Sequence, residues 1–170
     1  MGNVFPFFAL TEKQHIMANT FSQLFVQVVF AVKHRQNLIR ENQRDEIEKF
    51  ICGISNQLGA KPYAIYCNPD HLHLFVSMKP SLSVSNLVKE VKRVSTKFIK
   101  EKRLCHPSFS WQIGYSCFSY SLSQVPSVCK YIENQHEHHR KKTFEEEYVQ
   151  FLKHFKIEYN EKYLFDWDDA

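Results

Sequence analysis

Residues 71–78, HLHLFVSM, carry an apolar residue at every second position, and that period constrains the fold more than any other stretch of the chain. With a period of two, Leu72, Leu74, Val76 and Met78 point to one face of a strand, while His71, His73, Phe75 and Ser77 point to the other. A purely apolar face has to be covered by helices, which leaves the histidines on the face those helices do not cover. Imidazoles at i and i+2 stand about 7 Å apart at their α-carbons, near enough to reach one divalent ion. An isolated pair of this kind is more often two histidines filling space on a half-exposed strand, so the pair needs support from elsewhere in the sequence.

The neighbouring segments supply the covering helices. Ile47, Phe50, Ile51, Ile54 and Leu58 recur at helical spacing and predict a helix over about 42–58, ended by Gly59. Ser83 caps a second helix whose stripe is Val84, Leu87, Val88, Val91, Val94, Phe98 and Ile99, ending near Lys102. Leu24–Val32 and Lys61–Cys67 read as strands, and Asn68-Pro69-Asp70 supplies the turn of a hairpin into residue 71. Phe109–Ser121 reads as a fourth strand bent at Gly114. Ser123 then caps a helix with Pro126 in its first turn, running to about His139. Thr143 to Glu146 is a capping box opening a last helix to about His154. The order β α β β α β α α is that of an α+β, ferredoxin-like (split βαβ, RRM-like) antiparallel sheet with helices on one face and two added helices.

At 170 residues the chain has room for one domain. Residues 1–16 differ in composition and are set outside the fold as an N-terminal extension, the domain is placed at 17–157, and 158–170 form a tail ending FDWDDA. Four glycines and no Gly-rich turn argue against a loop that cradles nucleotide phosphates. Five cysteines, an odd number without C-x-x-C spacing, read as small buried hydrophobes of a reducing compartment rather than disulfides or a thiolate zinc site. The apolar start lacks a positive leading region and no run reaches the length of a membrane span, so a cytoplasmic location is expected.

Net charge is only +4, but its placement is uneven. Residues 89–103 hold seven basic side chains against two acidic ones, and Lys89, Lys92, Arg93, Lys97 and Lys100 occupy the face opposite the apolar stripe. Arg140-Lys141-Lys142 forms a second cluster after the 123–139 helix. Both suit contact with phosphates, although a basic helix face is as often merely solvated. Phe75, Tyr115, Phe118 and Tyr120 are candidates for stacking on unpaired bases, against the commoner reading of aromatic strand residues as core.

Support for the histidine pair comes from the 123–139 helix. Val125, Val128, Cys129 and Ile132 form its buried stripe, and Tyr131 and Gln135, four apart, share one flank with His138 three residues further on. A tyrosine there is usually an amphipathic core residue. Laid over the histidine face, however, it stands one turn from an amide oxygen that can ligate a metal. A phenol is a poor nucleophile until a metal polarises its phosphate target.

The Asp70-His71-Leu72-His73-Leu74-Phe75 strand and the Tyr131-x-x-x-Gln135 helix resemble those of the single-tyrosine HUH transposases, the enzymes of the smallest bacterial insertion sequences (insertion-sequence-200-like) and their REP-associated relatives. MANTFSQLFVQVVFAVKHRQNLI, WQIGYSCFSYS and YIENQHEHHRKKTFEEEY are similar to that family as well, so the resemblance spans about 17–157. It implies a DNA transposase that binds single-stranded DNA hairpins and cleaves and rejoins a strand through a 5′-phosphotyrosine. Tyr131 would be the nucleophile, His71, His73 and Gln135 the ligands of Mg²⁺ or Mn²⁺, and His138 a contact to the metal or a phosphate. It implies also a homodimer with active sites shared between subunits, acting in the bacterial cytoplasm at the nucleoid. His139 falls on the buried stripe and reads as structural, and His136 has no role. The alternatives are a non-catalytic or domesticated nucleic-acid-binding module of RRM-like fold, and a zinc hydrolase using His71, His73 and the histidines at 136–139 with Glu133 or Glu137 as base.

Overall fold

The computed structural model of the protein describes residues 3–4, 21–160 and 164. Five antiparallel strands form one sheet: β1 (Asn3–Val4), β2 (Phe25–Ala31), β3 (Ala60–Cys67), β4 (His71–Met78) and β5 (Ser116–Tyr120), in the spatial order β1-β3-β4-β2-β5. β4 lies at the centre, with His71 and His73 opposite Ala31 and Val29 of β2, and His73 opposite Tyr66 of β3. Residues opposite one another share a face, so Gln27, Val29 and Ala31 line the histidine side. The pairing of Asn3 and Val4 with Ile65 and Ala64 brings part of the 1–16 extension into the sheet, where the sequence reading had left it out. The FDWDDA end of the tail lies outside the described residues.

Helices α1 (Glu41–Leu58) and α2 (Val84–Glu101) cover the other face, as the alternation of β4 requires. Ile47, Ile51, Leu87, Val91 and Ile99 are buried there with Leu72, Leu74, Val76 and Met78. Each contributes about 1.5–3 kcal/mol of apolar burial. The Phe50 and Phe98 rings stack across the two helices at 3.7 Å. Gly59 closes α1 in the left-handed conformation (φ +91°), its N–H donating to carbonyls of the last turn. The Ser83 hydroxyl accepts from the Asn86 N–H, as expected of its cap.

Two expected elements differ in detail. The 109–121 strand is divided: the Gln112 N–H donates to the Ala31 carbonyl and Trp111 bridges Val32, then Gly114 (φ +89°) turns the chain before β5 begins. The 123–139 helix is divided too. Ser121, not Ser123, caps an opening turn at Leu122–Gln124, and α3 (Val125–Glu133) follows with Pro126 in its first turn. Asn134 leaves helical geometry, its side-chain amide donating to the Lys130 carbonyl, and α4 (Gln135–His139) starts anew. The Thr143 capping box opens α5 (Phe144–His154) as read from the sequence.

α3 and α5 pack over the histidine side of the sheet. Val125, Val128 and Ile132 meet Phe25, Ala64, Tyr66 and Phe75, while Phe144, Tyr148 and Leu152 meet Val29, Ala31 and Phe118. The histidines are therefore roofed rather than displayed: His71 is 1% exposed and His73 0%.

Candidate active site

β4 presents His71 and His73 side by side with ring centroids 5.1 Å apart, and the surrounding polar groups fix both rings. His71 Nδ1–H donates to Asp70 Oδ1 at 2.7 Å, and Arg35 donates to Asp70 Oδ2 at 2.5 Å. Arg35 reaches that position because the loop after β2 passes through two consecutive left-handed residues, His34 (φ 56°) and Arg35 (φ 51°), and its guanidinium lies over the Phe144 ring. Strained backbone of this kind persists where surrounding contacts hold it. A carboxylate on Nδ1 leaves the Nε2 lone pair of His71 directed inward, where the Asn68 amide donates to it at 2.9 Å. His73 is anchored through Nδ1 by the Gln27 amide at 3.0 Å, and Tyr120 donates in turn to Gln27 Oε1 at 2.8 Å.

α4 and α5 bring further donors over the pair. Glu147 of α5 is buried, with Oε2 at 3.8 Å from His71 Nε2, 3.6 Å from His73 Nε2 and 3.1 Å from His139 Nε2. The ligand atoms of His71, His73, His139 and Glu147 all lie within 4.8 Å of one another, a set able to hold a metal ion. Gln135 is buried beside them. Its Oε1 accepts from Asn68 at 3.2 Å and its Nε2 donates to Glu147 Oε1 at 2.8 Å. His138 Nε2 is 3.7 Å from the same carboxylate. Phe144 stacks on His71 at 3.8 Å and secures the start of α5 against the site.

Burial favours the neutral form of His71 and His139, the form in which an imidazole ligates a metal. It pushes His71 down to about 3, against the opposing pull of Asp70, and His139 down to about 4. His138 is lowered for the same reason. Burial works against charge on Asp70 as well, but its bonds to His71 and Arg35 outweigh that and hold it well below the usual carboxylate range.

Tyr131 of α3 leans over this group, its ring 6.1 Å from His73, 5.3 Å from His138 and 5.7 Å from Phe151. Its hydroxyl is shut off from solvent and has no hydrogen-bond partner among the described residues. Tyr131, His138 and Glu147 line a cleft of about 550 Å³ with Gln27, Tyr120 and Phe151.

The structure thus brings His71, His73, Tyr131, Gln135 and His138 to one place, from segments sixty residues apart in sequence. His139, read as structural, is among the potential ligands, and His136 is exposed in a groove with Arg140. Glu147, Asp70, Asn68, Arg35 and Gln27 were not read from the sequence as site residues. Glu147 had a signal: it interrupts the stripe of Phe144, Tyr148 and Leu152, a carboxylate at a core position.

The basic residues divide between two faces. Arg140, Lys141 and Lys142 line a groove with Arg35 and His139 beside the site. The α2 stripe lies on the far face of the sheet. Lys89, Arg93 and Lys97 are exposed there, with Arg93 paired to Glu90 and Lys97 to Glu101. Lys92 is turned inward: its ammonium donates to the Gln112 carbonyl at 2.7 Å and to the Gly114 carbonyl, and lies over the Phe30 ring. Of the stacking candidates, Phe75 and Phe118 are buried, Phe118 between Phe151 and Phe155, because α3 and α5 cover that face. Tyr120 is half-buried, its hydroxyl spent on Gln27, and Tyr115 is exposed.

The sheet and its arrangement are those of known transposases. A solved transposase structure from Deinococcus radiodurans superposes with a TM-score of 0.56 at 23% identity, over 69% of this chain and 94% of that one. A REP-associated tyrosine transposase solved with a REP hairpin shares the fold with a TM-score of 0.54 at 14% identity, over 71% of each chain. Residues 20–135 match the model of the IS200-like transposases, and the chain belongs to that family. It is 26% identical over 120 residues to the ISDra2 transposase TnpA of Deinococcus radiodurans, which covers 68% of this chain and 86% of the relative. The matched segment ends at Gln135, so His138, His139 and Glu147 lie beyond it.

Proposed function

We propose that the protein is a DNA transposase that binds single-stranded DNA hairpins and breaks and rejoins a strand through Tyr131. The observation that carries this reading is the convergence of Tyr131 on the His71 and His73 pair, a hydroxyl without a hydrogen-bond partner among the described residues beside two imidazoles held in place by hydrogen bonds. In the forward step the Tyr131 oxygen gives up its proton and bonds to phosphorus, and the bond from phosphorus to the 3′ oxygen breaks. That oxygen leaves and takes a proton, and the 5′ phosphate stays on Tyr131. A diester replaces a diester, so no nucleotide cofactor is needed to reseal the strand.

His71 and His73, with Gln135 as third donor, would hold Mg²⁺ or Mn²⁺, which when bound polarises the phosphate and stabilises charge on the leaving oxygen. His138, beside both Tyr131 and Glu147, serves as a contact to the phosphate. Arg140, Lys141 and Lys142 give the flanking strand a basic groove beside the site, and Lys89, Arg93 and Lys97 give the duplex stem a surface on the far face. Burial of Phe75 and Phe118 counts against a module that stacks bases on its bare sheet in the RRM manner.

A homodimer with shared sites belongs to the same reading. Here Tyr131 stands beside His73 of its own chain, so a shared site requires α3 to leave its own sheet for the partner's. Among the described residues no helix is long and apolar enough to cross a membrane, and work on DNA would place the protein at the nucleoid of a bacterial cytoplasm.

The test is a covalent adduct. A hairpin-bearing single strand labelled at its 3′ end, mixed with protein and Mn²⁺, is expected to give a denaturation-resistant labelled protein. EDTA abolishes it, and Tyr131→Phe abolishes it with hairpin affinity retained. Undiminished adduct from Tyr131→Phe refutes the assignment.

A further inference from the structure

We infer that the ion of this site is held by three imidazoles and one carboxylate, His71, His73, His139 and Glu147, and that the site selects a transition ion such as Mn²⁺ or Co²⁺ over Mg²⁺. This rests on the reading of His71 and His73 as ligands, and it puts the two residues that α4 and α5 supply from beyond the family match in the place that reading gives to Gln135, whose amide is engaged by Asn68 and Glu147.

Five buried polar atoms without hydrogen-bond partners among the described residues gather at this site, the Tyr131 hydroxyl, His138 Nε2, His73 Nε2, His139 Nε2 and Glu147 Oε2, and the last three belong to the set whose ligand atoms lie within 4.8 Å of one another. A buried polar atom left unmet is costly, and a single cation meets all three of these. The spacing fits. With ligand bonds of ~2.1 Å, neighbouring ligand atoms stand roughly 3.0–3.4 Å apart. Glu147 Oε2 lies 3.1, 3.6 and 3.8 Å from the three Nε2 atoms before any ion draws them in. Each ring is held at its other nitrogen, by Asp70 on His71 Nδ1, Gln27 on His73 Nδ1 and the Lys142 carbonyl on His139 Nδ1 at 3.2 Å, while the Asn68 amide, at 2.9 Å from His71 Nε2, gives up that lone pair to the ion and keeps its bond to Gln135 Oε1. For His73 Nε2 to ligate, its ring proton sits on Nδ1, so the Gln27 amide turns its oxygen towards it and offers its nitrogen to Tyr120.

Donor chemistry sets the selectivity. Three imidazole nitrogens against one oxygen suit Mn²⁺, Co²⁺, Ni²⁺ or Zn²⁺, whereas Mg²⁺ favours carboxylate, water and phosphate oxygens. An ion that accepts more than these four donors would still have room for phosphate oxygens, whereas one satisfied by four, as Zn²⁺ often is, would be held without room for substrate. Gln135 is a positioning residue in this arrangement: its Nε2–H on Glu147 Oε1 turns Oε2 towards the imidazoles. Because Glu147 rides on α5, ion binding and the docking of α5 are linked, each favouring the other.

The experiment is calorimetric titration of the full chain with Mn²⁺ and with Mg²⁺, without DNA. Wild type is expected to bind Mn²⁺ at least tenfold more tightly than Mg²⁺. Glu147→Gln and His139→Ala each weaken Mn²⁺ at least tenfold. Gln135→Ala weakens it in the wild-type background but not in a Glu147→Gln background, a coupling that general damage does not produce. Amide exchange provides a readout on the unsubstituted protein: Mn²⁺ slows exchange across residues 144–154. Equal affinity for the two ions overturns the selectivity. Wild-type Mn²⁺ affinity in Glu147→Gln and His139→Ala, with loss in His71→Ala, overturns the four-donor set and leaves the histidine pair standing. Retention in His71→Ala and His73→Ala overturns the histidine reading itself.

Discussion

Replacing Tyr131 by phenylalanine separates a nucleophile from a structural tyrosine by stability as well as by activity. A buried tyrosine kept for structure normally spends its hydroxyl on a hydrogen bond, as Tyr120 does on Gln27, and losing such a bond costs about 1 kcal/mol. Tyr131 has an enclosed hydroxyl with no such partner among the described residues, while its ring packs on His73, His138 and Phe151. Phenylalanine keeps the ring contacts and removes only the atom that was desolvated without return. An unsatisfied buried hydroxyl costs about 1–3 kcal/mol, and the neighbouring cleft places Tyr131 at the low end, so a gain of about 1 kcal/mol is expected. For a chain of this size that is a rise in Tm of roughly 2–4 °C. The assay is urea unfolding of both proteins in EDTA, where an unchanged m-value shows that the same surface is exposed. A loss of 1 kcal/mol or more refutes the argument, because it would mean the hydroxyl was bonded and structural.

Other expectations follow from the same geometry. Asp70→Asn removes the charge that orients His71, and Mn²⁺ affinity should fall about 10–100-fold by calorimetry; an unchanged value excludes Asp70 as the group that orients the ligand. Burial pulls Lys92 down to about 8 from 10.5, so between those values the unfolded chain binds more protons than the folded one, and stability should rise with pH across that window. That rise should vanish in Lys92→Met, measured by denaturation at successive pH values, and its persistence there would assign it to another group. Neutralising Lys89, Arg93 and Lys97 together should flatten the salt dependence of hairpin binding while the rate of adduct formation at saturating DNA stays put, since α2 lies across the sheet from Tyr131. Co-refolding a His71→Ala chain with a Tyr131→Phe chain should restore cleavage if sites are shared, because each mixed dimer then has one intact site; verified mixed dimers that stay inactive reject sharing during cleavage.

What the sequence determined by itself was whatever acts within a turn or along a single strand. The alternation of 71–78 set which side of β4 is apolar, and the spacing in 84–99 set the stripe of α2 that covers it, because side-chain direction follows the local period. Ser83, Thr143 and Gly59 marked helix ends through bonds only a few residues long. Tyr131 and Gln135 reached one site even across the break at Asn134, since one displaced residue scarcely changes the side of the helix they share. Only tertiary packing decided that a second layer, α3 and α5, would bury the histidines and close Phe75 and Phe118 off from any ligand. It decided also that Lys92 would turn in to the 112–114 loop, and that Arg35 would cross from the end of β2 to hold Asp70. Glu147 shows the reason most plainly. Its carboxylate lies among three imidazoles from β4 and α4, groups up to 76 positions away in the chain, and no local pattern encodes a meeting whose energy comes from partners that distant.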